Sequence, residues 1–216
     1  MEAASPTRAE VASSRNADPP GVSRECLDEE SGQLRDGTVV RLRRARASDR
    51  AHVLDFLTHM SQDSLELRYF SPWRRESVAS EILSSTDLAR RYSLLLEVAD
   101  PGQEQIIGHG EYVRVADHPN RAEVAFLIAD ACQGQGAATI LLWGLARRAR
   151  EAGIRRFEAI VQSDNRPMID VFVDSGFPCS ISWHGGEGAV LVDIAHEPSV
   201  AIAIRDASPR TPLLPA

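Results

Sequence analysis

The stretch from Ala122 to Trp143, Ala-Glu-Val-Ala-Phe-Leu-Ile-Ala-Asp-Ala-Cys-Gln-Gly-Gln-Gly-Ala-Ala-Thr-Ile-Leu-Leu-Trp, constrains the fold more than any other part of the sequence. Its apolar run over 123–129 suits a strand, and a turn then leads through Gly134 and Gly136 into an amphipathic helix. The first N–H groups of a helix lack intrahelical acceptors, and the end carries partial positive charge. Two glycines at that point open the backbone to an anion, and a strand alongside ties the cradle to a sheet. The spacing fits neither common nucleotide pattern. No Lys-Ser/Thr follows the glycines, and there is no GxGxxG. It does fit Q-x-x-G-x-A, through Gln133, Gly136 and Ala138.

Around this stretch the chain divides into three. Residues 1–36 are rich in Ala, Ser, Pro and Glu without sustained apolar period, and are expected to form a flexible tail. A folded domain is expected over 37–197, followed by a C-terminal tail over 198–216 in which 200–204 is apolar enough to pair with an edge. Residues 38–44 alternate as a first strand, and Ser48-Asp49 is placed to cap a helix bearing Val53, Leu54, Phe56, Leu57 and Met60. Helical segments are expected over 63–70, 77–83 and 86–91. Strands follow at 93–99, 106–115 and 121–129, joined by short turns that imply antiparallel pairing. The helix over 137–152 carries Leu141, Leu142, Leu145 and Ala149 on one stripe and ends at Gly153. A strand at 156–162, a helix at 165–175 and a hairpin around His184-Gly-Gly-Glu complete the domain. Arginines 41, 43, 44 and 46 are read as mostly solvent-facing strand positions.

Composition excludes several classes. A net charge of −7 argues against general binding of nucleic acid. No run approaches the roughly 18 apolar residues of a membrane span. The N-terminus lacks the regions of a signal peptide, so a cytoplasmic protein with no membrane partner is expected. Cys26, Cys132 and Cys179 are odd in number and scattered, which suggests neither disulfides nor a metal site. Cys132, beside the glycine loop, is read as a small turn residue, because no base partner accompanies it. The sequence contains no lysine, so a lysine Schiff base is excluded.

About thirty residues beyond the first motif comes Asn165-Arg-Pro-Met-Ile-Asp-Val-Phe-Val-Asp-Ser-Gly-Phe177. This pair of motifs resembles the GCN5-related N-acetyltransferases (GNAT family), over about residues 38–196. The resemblance implies a mixed α/β (α+β) fold: a central, mostly antiparallel twisted sheet of six to seven strands, flanked by helices and splayed at strands 4 and 5. Gly37-Thr-Val-Val-Arg-Leu-Arg43, Ser64-Leu-Glu-Leu-Arg-Tyr-Phe70 and Ala122-Glu-Val-Ala-Phe126 look most like bacterial protein lysine acetyltransferases. Those often carry cyclic-nucleotide or acyl-CoA-ligase domains; the short tail holds neither, so cyclic-nucleotide control is not expected.

The resemblance also implies a site. Acetyl-CoA would lay its diphosphate on the N–H groups of Gly134, Gln135, Gly136, Ala137, Ala138 and Thr139, with Gln133 fixing the loop. Its pantetheine arm would run beside Phe126, Leu127 and Ile128, where a backbone N–H would polarise the thioester carbonyl. Asn165 would bond the pantetheine or hold the neighbouring loop, or serve as a helix N-cap. Glu123 is the expected general base, acting through water, with Glu111 and then Glu158 in reserve. Many relatives have a tyrosine where Phe172 stands, to protonate the departing thiolate. Here Tyr112, Tyr92 or water would substitute, or the thiolate would leave unaided. His109, His118 and His184, near expected strand ends, are assigned no chemistry. The implied activity is acetyl transfer to an amine, first of all a lysine of another protein, by a monomer or homodimer without metal. The alternatives are a small-molecule amine as acceptor, or a CoA-binding module without turnover.

Overall fold

The alternation of the strand segments and the helical stripe of 137–152 assemble around one twisted sheet. The computed structural model describes residues 29–69, 73–84, 90–100, 105–199 and 205–206. The strands are β1 (Glu30–Gln33), β2 (Val39–Arg44), β3 (Arg91–Val98), β4 (Ile106–Arg114), β5 (Arg121–Ile128), β6 (Arg156–Gln162), β7 (Cys179–His184), β8 (Glu187–Asp193) and β9 (Arg205–Asp206). The helices are α1 (Arg50–Thr58), α2 (Gln62–Tyr69), α3 (Arg75–Ile82), α4 (Ala137–Glu151) and α5 (Arg166–Val173). The sheet runs β7-β8-β6-β5-β4-β3-β2-β1-β9. Every pairing is antiparallel except β5 with β6. The mixed fold, the antiparallel meander and the closing hairpin are as expected. Strands β2 to β8 are the seven of the expected sheet, and β1 and β9 extend it beyond β2.

Two apolar layers sandwich the sheet. On one face α4 and α5 bury Leu141, Leu142, Leu145, Ile169 and Phe172 against Leu42, Leu94, Val124, Phe126 and Ile128. Gly108 and Gly110 on β4 make this packing close: a Cβ at either would stand 3.2 Å from Leu141 or Leu145. On the other face α1, α2 and α3 bury Val53, Phe56, Leu57, Leu65, Val78 and Ile82 against Leu95, Ile106 and Leu127. Successive residues of β5 therefore serve opposite layers.

Four local expectations are corrected. Glu30–Gln33, assigned to the N-terminal tail, is strand β1; Glu30 is buried and ion-paired with Arg147 of α4, and Leu34 enters the core. Four residues were too few to show a period. Arg43 does not face solvent: it is buried, donates to both carboxylate oxygens of Asp49 at 2.9 and 3.0 Å, and also pairs with Glu97. Asp49 stands at the N-cap position of α1 without capping it; its carboxylate serves Arg43 and the Arg46 N–H instead. Arg91, expected to end a helical turn, opens β3; residues 86–89 of that segment lie outside the described residues. The apolar 200–204 lies outside them too.

Candidate active site

The sheet opens beside β5. Strands β5 and β6 pair through Arg121–Arg156, Ala122–Phe157 and Glu123–Glu158, and then part. The pairing with β4, in contrast, continues to Ile128. Val115 N–H donates to the Arg121 carbonyl and Ala129 N–H to the Ile107 carbonyl. In an antiparallel pair such bonded positions recur at every second residue. Residues 121, 123, 125, 127 and 129 thus spend their backbone groups on β4. Val124, Phe126 and Ile128 turn theirs toward the absent β6, into a fork. One of these, the Ile128 carbonyl, is taken by the Gln133 side chain, which donates to it at 3.3 Å.

The fork belongs to a cleft of about 1120 Å³. At one end lies the glycine loop. Gln133 also donates to Ser64 Oγ and Asp130 Oδ1, which ties the loop to α2. Asp130 in turn accepts from Ser61 and Ser64. Gly134 and Gly136 have φ of +72° and +92°, a left-handed conformation that disfavours any side chain, and Gly136 is the N-cap of α4. A Cβ at either would meet nothing within 4 Å. The loop therefore presents open space in front of the unpaired N–H groups of a fifteen-residue helix. This space and these donors fit a diphosphate, and the fork beyond them fits an extended arm pairing with β5.

Of the expected cofactor residues, Phe126, Leu127, Ile128, Gln133, Gly134, Gly136, Ala137, Ala138, Thr139, Asn165 and Phe172 all line this cleft. Gln135 does not; its side chain turns back to donate to the Ala131 carbonyl at 3.2 Å. Asn165 caps α5, accepting from Met168 N–H at 3.2 Å. Phe172 is buried against Phe126, with ring centroids 6.2 Å apart. Tyr112 and Tyr92 stack on one another in the sheet's core and are not among the cleft-lining residues, so the structure gives no support to either as a proton donor there.

The three candidate carboxylates differ in their surroundings. Glu123 is exposed, stands on the last paired position before the fork, and among the described residues has no hydrogen-bond or ion-pair partner. Glu158 is held by Arg121 at 2.9 Å. Glu111 is 3 % exposed and pairs with Arg68 of α2 at 2.6 Å and Arg91 of β3 at 3.1 Å. Burial pushes its pKa above the ordinary carboxylate value, against the pull of the two arginines.

The sequence reading missed this second end of the cleft, formed by Arg68, Tyr69, Glu81 and Arg91. The Tyr69 phenol is pushed up to about 12, chiefly by burial. His109, expected near a strand end, lies in the middle of β4 and is fully buried with its Nε2 2.8 Å from Ser93 Oγ. Burial first, and then the two arginines, push it down to about 3, so the imidazole is neutral. The Cys132 thiol is pushed up by burial, and then by Asp36, which opposes a nucleophilic role. Among the described residues no cluster of His, Cys, Asp or Glu could hold a metal ion.

A forked sheet, a glycine cradle at a helix N-terminus and a cleft between them fit an acyl-CoA ligand. The chain belongs to the acetyltransferase (GNAT) family, a family that uses acetyl-CoA, whose model matches residues 57–177. Among solved structures, the GNAT domain of S. lividans PAT is 31% identical with a TM-score of 0.69, over 80% of this chain and 99% of that one. Acetyltransferase Pat of Mycolicibacterium smegmatis is 29% identical over 136 residues, which are 63% of this chain and 40% of that protein. The chain thus spans well under half the length of this relative. Mycobacterium smegmatis RimJ, solved with CoA-disulfide, shares the fold at 20% identity and a TM-score of 0.58, over 77% of this chain and 86% of that one.

Proposed function

We propose that this protein transfers acetyl from acetyl-CoA to the side-chain amine of a lysine on another protein, with Glu123 as general base. The observation that carries the assignment of the base is the difference among the carboxylates. Glu123 stands free at the mouth of the fork, whereas Glu111 and Glu158 are engaged by arginines. A base must be able to take a proton without abandoning a partner, and of these three glutamates only Glu123 meets that condition.

Bound acetyl-CoA supplies the activated acetyl thioester. The N–H groups from Gly134 to Thr139 hold its diphosphate, and Gln133 keeps the loop in register with the end of β5. The N–H groups of Val124 and Phe126, turned into the fork, bond the arm and polarise the thioester carbonyl. Glu123, one residue before the fork widens, draws the proton from the ammonium of the acceptor through water. Phe126 and Phe172 exclude water from the sulfur side without donating a proton. The departing thiolate, a weak base compared with an alkoxide, takes its proton from solvent. Likeness to the S. lividans PAT domain and to Acetyltransferase Pat supports a protein acceptor over a free amine.

The test is thiol release from acetyl-CoA with candidate acceptor proteins and a panel of small amines. Because the chain has no lysine, any acetyl-lysine found by mass spectrometry belongs to the acceptor. Turnover with small amines alone would refute the protein-lysine assignment. Tight acetyl-CoA binding with no turnover on any acceptor would refute the catalytic one.

A further inference from the structure

The segment just before β2 reaches the glycine loop. Leu34 N–H donates to the Thr38 carbonyl and Gly37 N–H to the Leu34 carbonyl, while the Asp36 carboxylate folds back onto Thr38 N–H. This closed turn projects Arg35 onto the loop. Arg35 N–H donates to the Gln135 carbonyl at 3.0 Å, and its guanidinium donates to the Gly134 carbonyl at 3.0 Å. Two consecutive carbonyls of the cradle therefore point at one residue.

This has a consequence for the other side of those peptides. In a trans peptide the N–H points opposite to the C=O, and no cis bond occurs among the described residues. With the Gly134 and Gln135 oxygens held toward Arg35, the N–H groups of Gln135 and Gly136 are turned away from it. Glycine at 134 and 136 leaves those peptides free to rotate unless something fixes them. The turn that carries Arg35 is itself anchored: Leu34 is 4 % exposed, Glu30 pairs with Arg147, and Gly32 lies over Ile140, to which a Cβ there would come within 3.2 Å. Arg35 thus connects the turn after β1 to the glycine loop that leads into α4.

We propose that Arg35 is a positioning residue for the acyl donor, fixing the Gly134–Gly136 peptides so that their N–H groups are aimed at the diphosphate before it arrives. The inference rests on the acetyl-CoA reading of the loop. Arg35 acts through the Gly134 carbonyl. A neutral donor of similar reach therefore serves in part, and donors without a diphosphate are indifferent to it.

The experiment measures steady-state rates for the full chain and for Arg35→Ala, Arg35→Gln and Arg35→Lys, with acetyl-CoA and with S-acetylpantetheine, which lacks the diphosphate. Arg35→Ala is expected to raise KM for acetyl-CoA by roughly tenfold or more, from the loss of one charge-assisted hydrogen bond. Its kcat and its KM for S-acetylpantetheine stay as in the parent, and both Gln and Lys recover part of the loss. An unchanged KM in Arg35→Ala, an equal loss with both donors, or rescue by Lys but not by Gln would each overturn the clamp. If the parent chain itself shows no preference for acetyl-CoA over S-acetylpantetheine, the diphosphate reading fails, and the clamp with it.

Discussion

Exchanging two glutamates of the cleft, Glu123 and Glu111, separates its proposed chemistry from its support. A lysine amine with a pKa near 10.4 is neutral only about once in a thousand at pH 7.4. In the proposed mechanism Glu123 takes the proton at the site, and with Glu123→Gln the reaction would wait for the rare neutral amine. The loss in kcat/KM at pH 7.4 is therefore expected to be about 10² to 10³, inside the range of general-base contributions. It should shrink about tenfold for each pH unit and vanish near pH 10. Because Glu123 is exposed and free of partners, its replacement should leave stability within about 0.5 kcal/mol of the parent. Glu111→Gln should do the reverse. It weakens the buried carboxylate between Arg68 and Arg91; Arg91 keeps Glu81 at 2.7 Å, so the cost falls on Arg68, and leaving one buried charge poorly paired costs about 3 kcal/mol where an amide oxygen remains. Thiol-release kinetics over about pH 6.5 to 10, paired with urea titration, measure both. Full activity of Glu123→Gln at neutral pH would refute the assignment, as would a deficit that stays constant at alkaline pH.

Other outcomes follow from the same geometry. Gly136→Ala and Gly153→Ala both place a Cβ on a left-handed backbone with nothing within 4 Å. Each should lose about 1–2 kcal/mol in thermal melts, while only the first weakens acetyl-CoA by calorimetry. Arg43→Met leaves Asp49 and Glu97 without their buried partner and should cost about 3–5 kcal/mol at neutral pH in urea titration. Burial raises the Asp49 pKa, but the bonds from Arg43 and the Arg46 N–H outweigh it and hold the carboxyl below the ordinary carboxylate value. That stability is present above the unfolded value of 3.8 and is lost as pH falls through the lower folded value, so the gap to Arg43→Met should narrow in acid. Gly144→Ala would bring a Cβ within 2.3 Å of Leu42 Cδ2 in the core under α4, and should lower the melting temperature by an overpacking cost of about 1–3 kcal/mol.

The parts of the site that were legible in the sequence are those that backbone geometry alone requires. Gly134 and Gly136 announce a left-handed loop, and the run from Ala122 to Ile128 announces a strand, because few other residues meet those demands. The Asn165 cap is a local bond over three residues and is equally readable. The other end of the cleft was not. Arg68, Arg91 and Glu111 come from a helix and two strands, and nothing in their spacing marks them as partners. Arg43 misled for the same reason: a polar residue in an alternating segment reads as solvent-facing until a buried partner is known. Strand β1 was missed because four residues carry too little pattern, and its contacts to Arg147 and the glycine loop are over one hundred positions away in sequence or nearly so.

The alternation along β5 links the fold to its chemistry. Even positions send side chains into the layer under α4 and α5, and their backbone groups into the fork. Odd positions bond β4 and present Glu123, Ala125 and Leu127 to the face of α1 to α3. A slip of one residue would bury Glu123 under α4 and expose Val124 at the mouth of the fork. The apolar pattern that forbids this slip, Ala122, Val124, Phe126 and Ile128, also sets which N–H groups turn into the fork and on which face Glu123 stands. Core and site are written in one register. A substitution such as Val124→Asp would therefore be felt first as lost stability, while Glu123→Gln, one residue away, would be felt only in the rate.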